Sequence, residues 1–574
     1  MTTGVTAGAP PGPAETAAAA TRGTVAPAPG TPTPPARTAG GRQEPPVTAM
    51  RLAASHLRAA GCHVEPGPPG SGTAFTARAG GARASCVLSW AGLVDLPLAG
   101  EADVQAACGL AHVHGRRYGR PTALGVAYAS CVAGLLAATG TLAALAAAAG
   151  RGGSTHLIRK GTGARAAVTV RTSVAEAALL SVSQYLAAAT AGDDGWTEPA
   201  GPGGPPFQAA DGSRFELETL DPGAWLRFWT ALGVDRAAAG HGWHAFGQRY
   251  ATAVCPLPPA LLAATARHAM PYLRRVARGT GVDVTAVAVA PRPAQAADEQ
   301  PWQLRTLGEV GPAPAELGRG GAGPLDGVSV VEVCRRVQGP LAGHLLRLLG
   351  ARVVRVEPPG GDPMRGMPPL AGDCSARFAA LNHGKDVLEA DLGTAAGRAA
   401  VRERVAAADV FLHSLAPGKD LRAGLDAQKL IALRPGLVHA AASGWGGERG
   451  RRPPTGTDFP VQAWSGLAAL VTPPGLPPAP SLLTLTDVLG GVACAEGAVA
   501  GLLAARLTGR GRAVTTSLLS AARLLCRPEF RTAPEEATVP ACTDLAALAA
   551  DPRFAPVLDH GPGVRPRGPW EFAR

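Results

Sequence analysis

PLDGVSVVEVCRRVQGPLAGHLLRLLGARVVRVEPPGGD, residues 324–362, decides the fold. VSVVEVCR (328–335) reads as a buried strand, and AGHLLRLL (342–349) has helical periodicity. Gly350 supplies a turn, RVVRVE (352–357) is a second strand, and a Gly/Pro loop follows. A strand, a crossover helix and a second strand form the unit of a parallel sheet. Farther along, ADVFLHS (408–414) and LVHAAAS (437–443) are two more apolar strands with helical patterns between them. The C-terminal half is therefore expected to be α/β, with a Rossmann-like parallel sheet carrying helices on both faces.

The N-terminal half echoes this half at four places in one order. ASHLRAAGCHVEPGPPGSG (54–72) repeats the helix, glycine turn and strand of 342–362, and VQAACGLAHV (104–113) answers VQAWSGLAAL (461–470). Two Ala-rich stretches, 125–149 and 488–505, come next. Each precedes a basic glycine turn and a Val/Thr strand, GARAAVTV (163–170) and GRGRAVTT (509–516). The pattern reads as a divergent duplication. The N-half also carries GSRFELETLDPGAWLRFWTALGV (212–234), a strand and then an amphipathic helix starting near Asp221-Pro222, expected in a smaller α+β domain. The organisation expected is a disordered Pro/Ala-rich tail (1–47), a degenerate half with the small domain (48–290), a linker (291–323), a core (324–526) and a closing segment (527–574).

Composition narrows the function classes. The chain has 574 residues, 46% hydrophobic and only 4% aromatic, so its core must be built from Ala, Leu and Val. The formal charge of +11 favours anionic ligands. The basic residues are scattered, with short clusters at Arg116, Arg117 and Arg120 and at Arg449, Arg451 and Arg452, which argues against a nucleic-acid partner. Ten cysteines without a CxxC pattern argue against a zinc ribbon or disulfide framework and suit a reducing cytoplasm, and no metal is expected. The N-terminus lacks the pattern of a signal peptide. Residues 125–149 are uncharged over a bilayer-spanning length, yet poor in Leu, Ile and Phe. They are read as a buried core helix, with no membrane partner expected.

The C-half resembles the family III CoA-transferases, the carnitine dehydratase and bile-acid-inducible group. The resemblance rests on residues 324–366, LNHGKDVLEADL (381–392), SLAPGKDLRAGL (414–425), SGWGGERG (443–450), GTDFPVQAWSGL (456–467) and the TDVLGG to LTGRGRAVTTSLL segment (486–519). Residues 548–572 are similar to the family's closing segment, and 201–233 to its small domain. The chain thus resembles two complementary, incomplete copies. The resemblance implies acyl-CoA and a carboxylic acid as substrates, within a pseudo-dimer formed by one chain or an interlocked homodimer. It also implies a carboxylate nucleophile that forms a mixed anhydride and then an enzyme thioester.

The residue matching that nucleophile is Asp487, which could equally cap the helix that follows it. Asp458 matches an acidic residue beside the site, and could equally be a turn residue. Related acyl-CoA racemases have His directly before this Asp; here the residue is Thr457, which weakens an epimerase reading. By the internal alignment, Glu101 stands opposite Asp458 and Ala129 opposite Asp487, so the N-half lacks a nucleophile. Residue-wise matches assign CoA binding to Gln338, Arg365, Asn382, Lys385 and Arg422, and a lid loop to Gly201, Gly203 and Gly204, which could equally belong to a plain linker. Three departures stand out. Ser414-Leu415-Ala416-Pro417-Gly418 replaces the family's Asn-Phe-Arg/Gly-Pro-Gly. Asn382-His383-Gly384-Lys385-Asp386 replaces Asn-x-Asn-Lys-Arg, and Gln338-Gly339-Pro340 is one residue short. CoA transfer is the leading reading; acyl-CoA α-epimerisation and non-catalytic acyl-CoA binding are the rivals.

Overall fold

The computed structural model describes residues 44–68, 74–149, 168–193, 195–197, 199, 201–293, 300–311, 317, 321, 323–450, 452–533 and 535–573. The expected tail falls largely in 1–43, outside the described residues; the first helix, Val47–Ala59, begins just after them.

Among the described residues, the largest sheet has seven strands. In spatial order they are Asp386–Glu389, Arg352–Glu357, Ser329–Val333, Val410–His413, Val438–Ser443, Arg510–Ser517 and Trp302–Val310. The first six run parallel and the last antiparallel. The five inner strands bury their apolar runs, as strands covered on both faces require, while the edge strands Asp386–Glu389 and Trp302–Val310 are largely exposed. The strand Trp302–Val310 corrects the expectation of a linker over 291–323: that segment donates a sheet edge, hidden in the sequence by its Gly/Pro-rich flanks. A second, five-stranded sheet comprises His63–Pro66, Phe75–Ala79, Ala82–Ser89, Val168–Ser173 and Glu571–Ala573. Only the pair Ala82–Ser89 and Val168–Ser173 is parallel in it.

The two expected apolar helices are Tyr128–Ala149 and Leu485–Thr508. Both are long and apolar enough to span a membrane, and both lie buried, packed on one another in the protein core. Small residues permit this packing. A Cβ at Gly497 would stand 2.7 Å from Val514 Cγ1, and one at Gly501 would stand 2.9 Å from Val438 Cγ1, so the second helix lies directly on its sheet.

Several elements of the two halves correspond in order. Glu101–Ala107 and Leu110–Gly115 correspond to Asp458–Ser465 and Leu467–Val471. Each pair breaks at a left-handed glycine, Gly109 (φ 85°) and Gly466 (φ 86°). Val168–Ser173 leads into helix Val174–Ser181 through the N-cap Ser173, as Arg510–Ser517 leads into Leu518–Leu525 through Ser517. The last strands are exchanged. Trp302–Val310, which follows the N-half, joins the sheet of the C-half, and Glu571–Ala573, at the end of the chain, joins the sheet of the N-half.

The small domain holds the antiparallel strands Phe207–Gln208, Arg214–Glu218 and Asp283–Ala286. Helix Pro222–Ala231 starts at the expected point, where the Asp221 side chain accepts from Gly223 N at 2.8 Å. A cluster of Phe207, Phe215, Trp225, Phe228, Trp229 and Phe246 forms its core, concentrating the chain's scarce aromatics.

Candidate active site

Asp487 is the third residue of helix Leu485–Thr508 and does not cap it; the N-cap position is Thr484. The capping work falls to Asp458. This buried first residue of helix Asp458–Ser465 accepts from Asp487 N and from Thr486 Oγ1, both at 2.8 Å on Oδ2. Its Oδ1 accepts from Gln462 Nε2, and Gln462 is pinned in turn by Ser481 N and Ser481 O. Asp458 is therefore a fixed internal group rather than a turn residue. The Asp487 carboxylate, half-buried, engages no hydrogen bond among the described residues and lines a narrow cavity of about 90 Å³.

That cavity is shared between distant parts of the chain. Arg336, Thr457, Asp458, Phe459 and Asp487 come from the C-half, and Glu218, Arg249 and Tyr250 from the small domain. Glu218 joins the two: it accepts from Thr457 Oγ1 and from Arg249 at 3.0 Å. The Arg249 guanidinium lies over the rings of Phe246 and Phe459, at 3.6 and 4.6 Å. Arg336 has a left-handed backbone (φ 64°), one of two non-glycine residues with positive φ among those described. It stacks over the Tyr250 ring at 4.8 Å. A bulky residue held at positive φ is strained, and such strain concentrates at working sites.

The electrostatics follow from this packing. Burial pushes the Asp458 carboxyl up to about 6 against the pull of its four hydrogen bonds. Burial and then the charge of Asp458 raise Asp487 well above the usual carboxylate range, while Arg336 opposes them. Asp458 and Asp487 thus resist ionising together, Glu218 raises Asp487 further, and Arg336 favours its charged form.

The structure corrects the internal alignment by one residue at the start of the apolar helix. Glu101 accepts from Ser130 N at 2.9 Å and from Gln105 Nε2 at 2.9 Å, as Asp458 accepts from Asp487 N and from Gln462. Ala129 N and Ser130 Oγ complete its shell. The carboxylate and its glutamine persist in the N-half, and Ser130, two residues into helix Tyr128–Ala149 as Asp487 is two residues into Leu485–Thr508, stands where Asp487 stands; Ala129 falls opposite Thr486.

The other residues singled out from sequence are placed as follows. Gln338 opens helix Gln338–Leu348, and its buried Nε2 has no partner. It lies against helix Leu485–Thr508, where a Cβ on Gly490 would come within 2.8 Å of Nε2. Lys385 spends its three donors internally, on Glu332 (2.8 Å), Pro340 O (2.8 Å) and Asn382 Oδ1 (3.0 Å). Asn382 also bonds Arg355 and Phe378 O. Arg365 forms a bidentate pair with Glu357, at 2.9 Å on each oxygen, and keeps 39% of its side chain exposed. Arg422 is exposed on helix Lys419–Ala423. Gly201, Gly203 and Gly204 all have positive φ; Gly203 N bonds Arg117 O, and Gly204 packs against Cys255. None of the three lines the Asp487 cavity. Among the described residues, no group of three or more His, Cys, Asp or Glu is arranged to hold a metal.

Sequence reasoning missed Arg336, Glu218, Arg249 and Tyr250. Arg336 had a signal, since it stands two residues before Gln338 at a strand end, where open sheets bind ligands. The small-domain residues had none, because their approach to Asp487 is purely tertiary.

A sequence model described as CoA-transferase family III matches residues 98–314 and 325–553. The chain belongs to the family III CoA-transferases, as a tandem of two copies. The acetyl-CoA:oxalate CoA-transferase of Acetobacter aceti is 34% identical over 198 residues, 34% of this chain and 51% of that protein. The succinate–glutarate CoA-transferase of Agrobacterium fabrum is 32% identical over 204 residues, again 34% and 51%. A crystal structure of a CAIB/BAIF family protein from Brucella suis has 32% identity, 36% and 55% coverage and a TM-score of 0.34. The chain spans about half the length of the curated relatives it matches.

Proposed function

We propose that this chain transfers CoA between an acyl-CoA thioester and a carboxylic acid, with Asp487 as the nucleophile. The observation that carries the reading is the Asp487 carboxylate: free of hydrogen bonds, facing a cavity, with its own backbone held by Asp458 and Arg336 nearby. In the reaction Asp487 attacks the thioester carbonyl and CoA thiolate leaves, producing a mixed anhydride. The thiolate then attacks the Asp487 carbonyl, releasing the first acid and leaving an Asp487–CoA thioester. The acceptor carboxylate attacks that thioester, and the thiolate returns to the acceptor's carbonyl, freeing Asp487. Arg336 orients the acid, and Asp458 positions Asp487 by fixing the first turn of its helix. The small cavity suits a short acid.

For CoA itself, Arg365 and Arg422 supply exposed cations, and Gln338 a free amide donor. Asn382 and Lys385 contribute as the wall behind them, since their polar groups bond within the protein. The glycine loop 201–204 closes over the pantetheine arm. The seven-stranded sheet reads as Rossmann-like, the two copies as a pseudo-dimer with one complete site, and the compartment as the cytoplasm. Epimerisation is the weaker reading, because both Asp458 oxygens are occupied and Thr457 replaces a histidine.

Intact-protein mass spectrometry with a panel of acyl-CoAs tests the proposal. A CoA-sized adduct that is sensitive to hydroxylamine and absent from Asp487→Ala is expected. An adduct that survives in Asp487→Ala, or solvent deuterium entering the acyl α-carbon without any adduct, would sink it.

A further inference from the structure

A second cleft, of about 330 Å³, lies apart from Asp487, between the C-terminal end of helix Gln338–Leu348, the loop at His383 and the hairpin that pairs Leu558–Asp559 with Arg565–Pro566. Its size is within the range of small-molecule sites. Its walls carry His344, Arg347, His383, Arg565 and Arg567 against a single carboxylate, Asp559. That carboxylate is mostly exposed and stands 3.8 Å from Arg565, whose own side chain is only 13% exposed.

Two buried donors are left without partners. His344 is 6% exposed and its Nδ1 has none; Arg347 Nε has none either. A buried polar atom left unpaired costs about 1–3 kcal/mol. Burial, and then the charges of Lys385, Arg347, Arg565 and His383, push the His344 imidazole far down. The local sequence accommodates the arrangement. Gly384 stands in the Asn-x-Asn-Lys-Arg departure, and a Cβ there would come within 2.8 Å of Arg347 Nη1.

We propose that this cleft binds a phosphate dianion carried by a small organic molecule, with Arg347 and Arg565 gripping its oxygens and His344 Nδ1–H donating a further hydrogen bond. The chemistry is that of guanidinium–phosphate recognition, in which planar donors match tetrahedral oxyanions. The phosphate could arrive on the nucleotide end of CoA or on a separate phosphorylated metabolite. The proposal does not depend on the CoA-transfer reading.

Titration of the full chain with inorganic phosphate, followed by calorimetry, is the direct test. Saturable millimolar or tighter binding is expected, weakened at least tenfold when Arg347→Gln and Arg565→Gln are combined. It should be unchanged when Arg365→Gln and Arg422→Gln are combined. Absence of saturable binding overturns the inference, as does a loss confined to the Arg365/Arg422 pair. Adenosine 3′,5′-bisphosphate separates the sources: if it displaces inorganic phosphate from the wild type, the nucleotide end of CoA is a competent ligand, and if it does not, the site serves another phosphate ester. Should the Arg347/Arg565 variant misfold, hydrogen exchange on the wild type decides. Phosphate should slow exchange at 344–348 and 558–567, and unchanged exchange there refutes the site.

Discussion

Replacing Asp487 with Asn should abolish CoA transfer and make the protein more stable. Asp458, with a folded value of about 6 against about 3.9 unfolded, holds its proton more tightly in the native state. Stability from this group is therefore greatest below the unfolded value and is lost as pH rises through about 6. At about 1.4 kcal/mol per unit, the loss is about 3 kcal/mol once Asp458 is ionised. Asp487 is raised in the same direction and adds to it. The substituted amide carries no charge, so the share due to Asp487 and its repulsion of Asp458 both vanish, while the desolvation of Asp458 remains. The net gain should be about 1–3 kcal/mol near pH 8 and should shrink toward zero near pH 5, below the value of Asp458. For a chain of this length that corresponds to a midpoint rise on the order of 1–3 °C. Scanning calorimetry of both proteins at the two pH values, at one scan rate, reads the difference. A variant no more stable than wild type near pH 8, or a gain just as large near pH 5, would refute the carboxylate-pair reasoning.

Four further outcomes are expected. Arg336→Gln should lower kcat/KM by about ten- to a hundredfold and move the acidic limb of its pH profile upward, because Arg336 favours the ionised form of Asp487; an unshifted limb counts against this. Arg249→Leu leaves Glu218 buried and short of its cation, which should cost about 3–5 kcal/mol in thermal or chemical unfolding. Lys385→Met should destabilise the fold less, because buried Glu332 loses the ammonium on Oε2 but keeps Arg355 on Oε1, and should leave the KM for acyl-CoA in the refolded fraction within about threefold; a KM rise without a stability loss would instead make Lys385 a direct CoA contact. Ser130→Asp, which places a carboxylate at the position of Asp487 beside the half-buried Glu101, should lower the melting temperature and yield no second adduct by mass spectrometry, since Ser130 is fully buried.

The parts of this molecule legible in its sequence are those whose physics is local. Apolar runs at 328–335, 352–357, 408–414 and 437–443 fall on strands because a buried parallel strand needs nothing beyond itself to be recognised. Glu101 as the counterpart of Asp458 was legible through the repeat, whereas Ala129 as the counterpart of Asp487 was one residue off, because an Ala-rich helix gives the alignment little to fix its register and the backbone bonds to Glu101 single out Ser130. Trp302–Val310 was not: its alternation is weak, most of it is exposed, and its partner strand lies more than two hundred residues away. The partners of Lys385 were equally hidden. A lysine in a family's ligand-binding order looks the same whether its ammonium meets a phosphate or a buried glutamate, and only the packing around Glu332 distinguishes them.

The two halves have lost different things, and the losses fit each other. The N-half keeps the small domain, whose Glu218, Arg249 and Tyr250 line the Asp487 cavity, and has Ser130 where the C-half has Asp487. The C-half keeps Asp487 and runs from its core to its closing segment without a small domain. A carboxylate at position 130 would have no small domain of its own to close over it, so nothing would offset the cost of burying it beside Glu101, and serine relieves that cost. Glu101 itself persists because its oxygens satisfy Ala129 N, Ser130 N, Ser130 Oγ and Gln105, donors at the start of a buried helix that would otherwise go unpaired. A carboxylate beside Asp487 in one copy thus has a counterpart in the other that serves a structural role. The same argument identifies Asp458 as a helix-anchoring group first and an electrostatic one second.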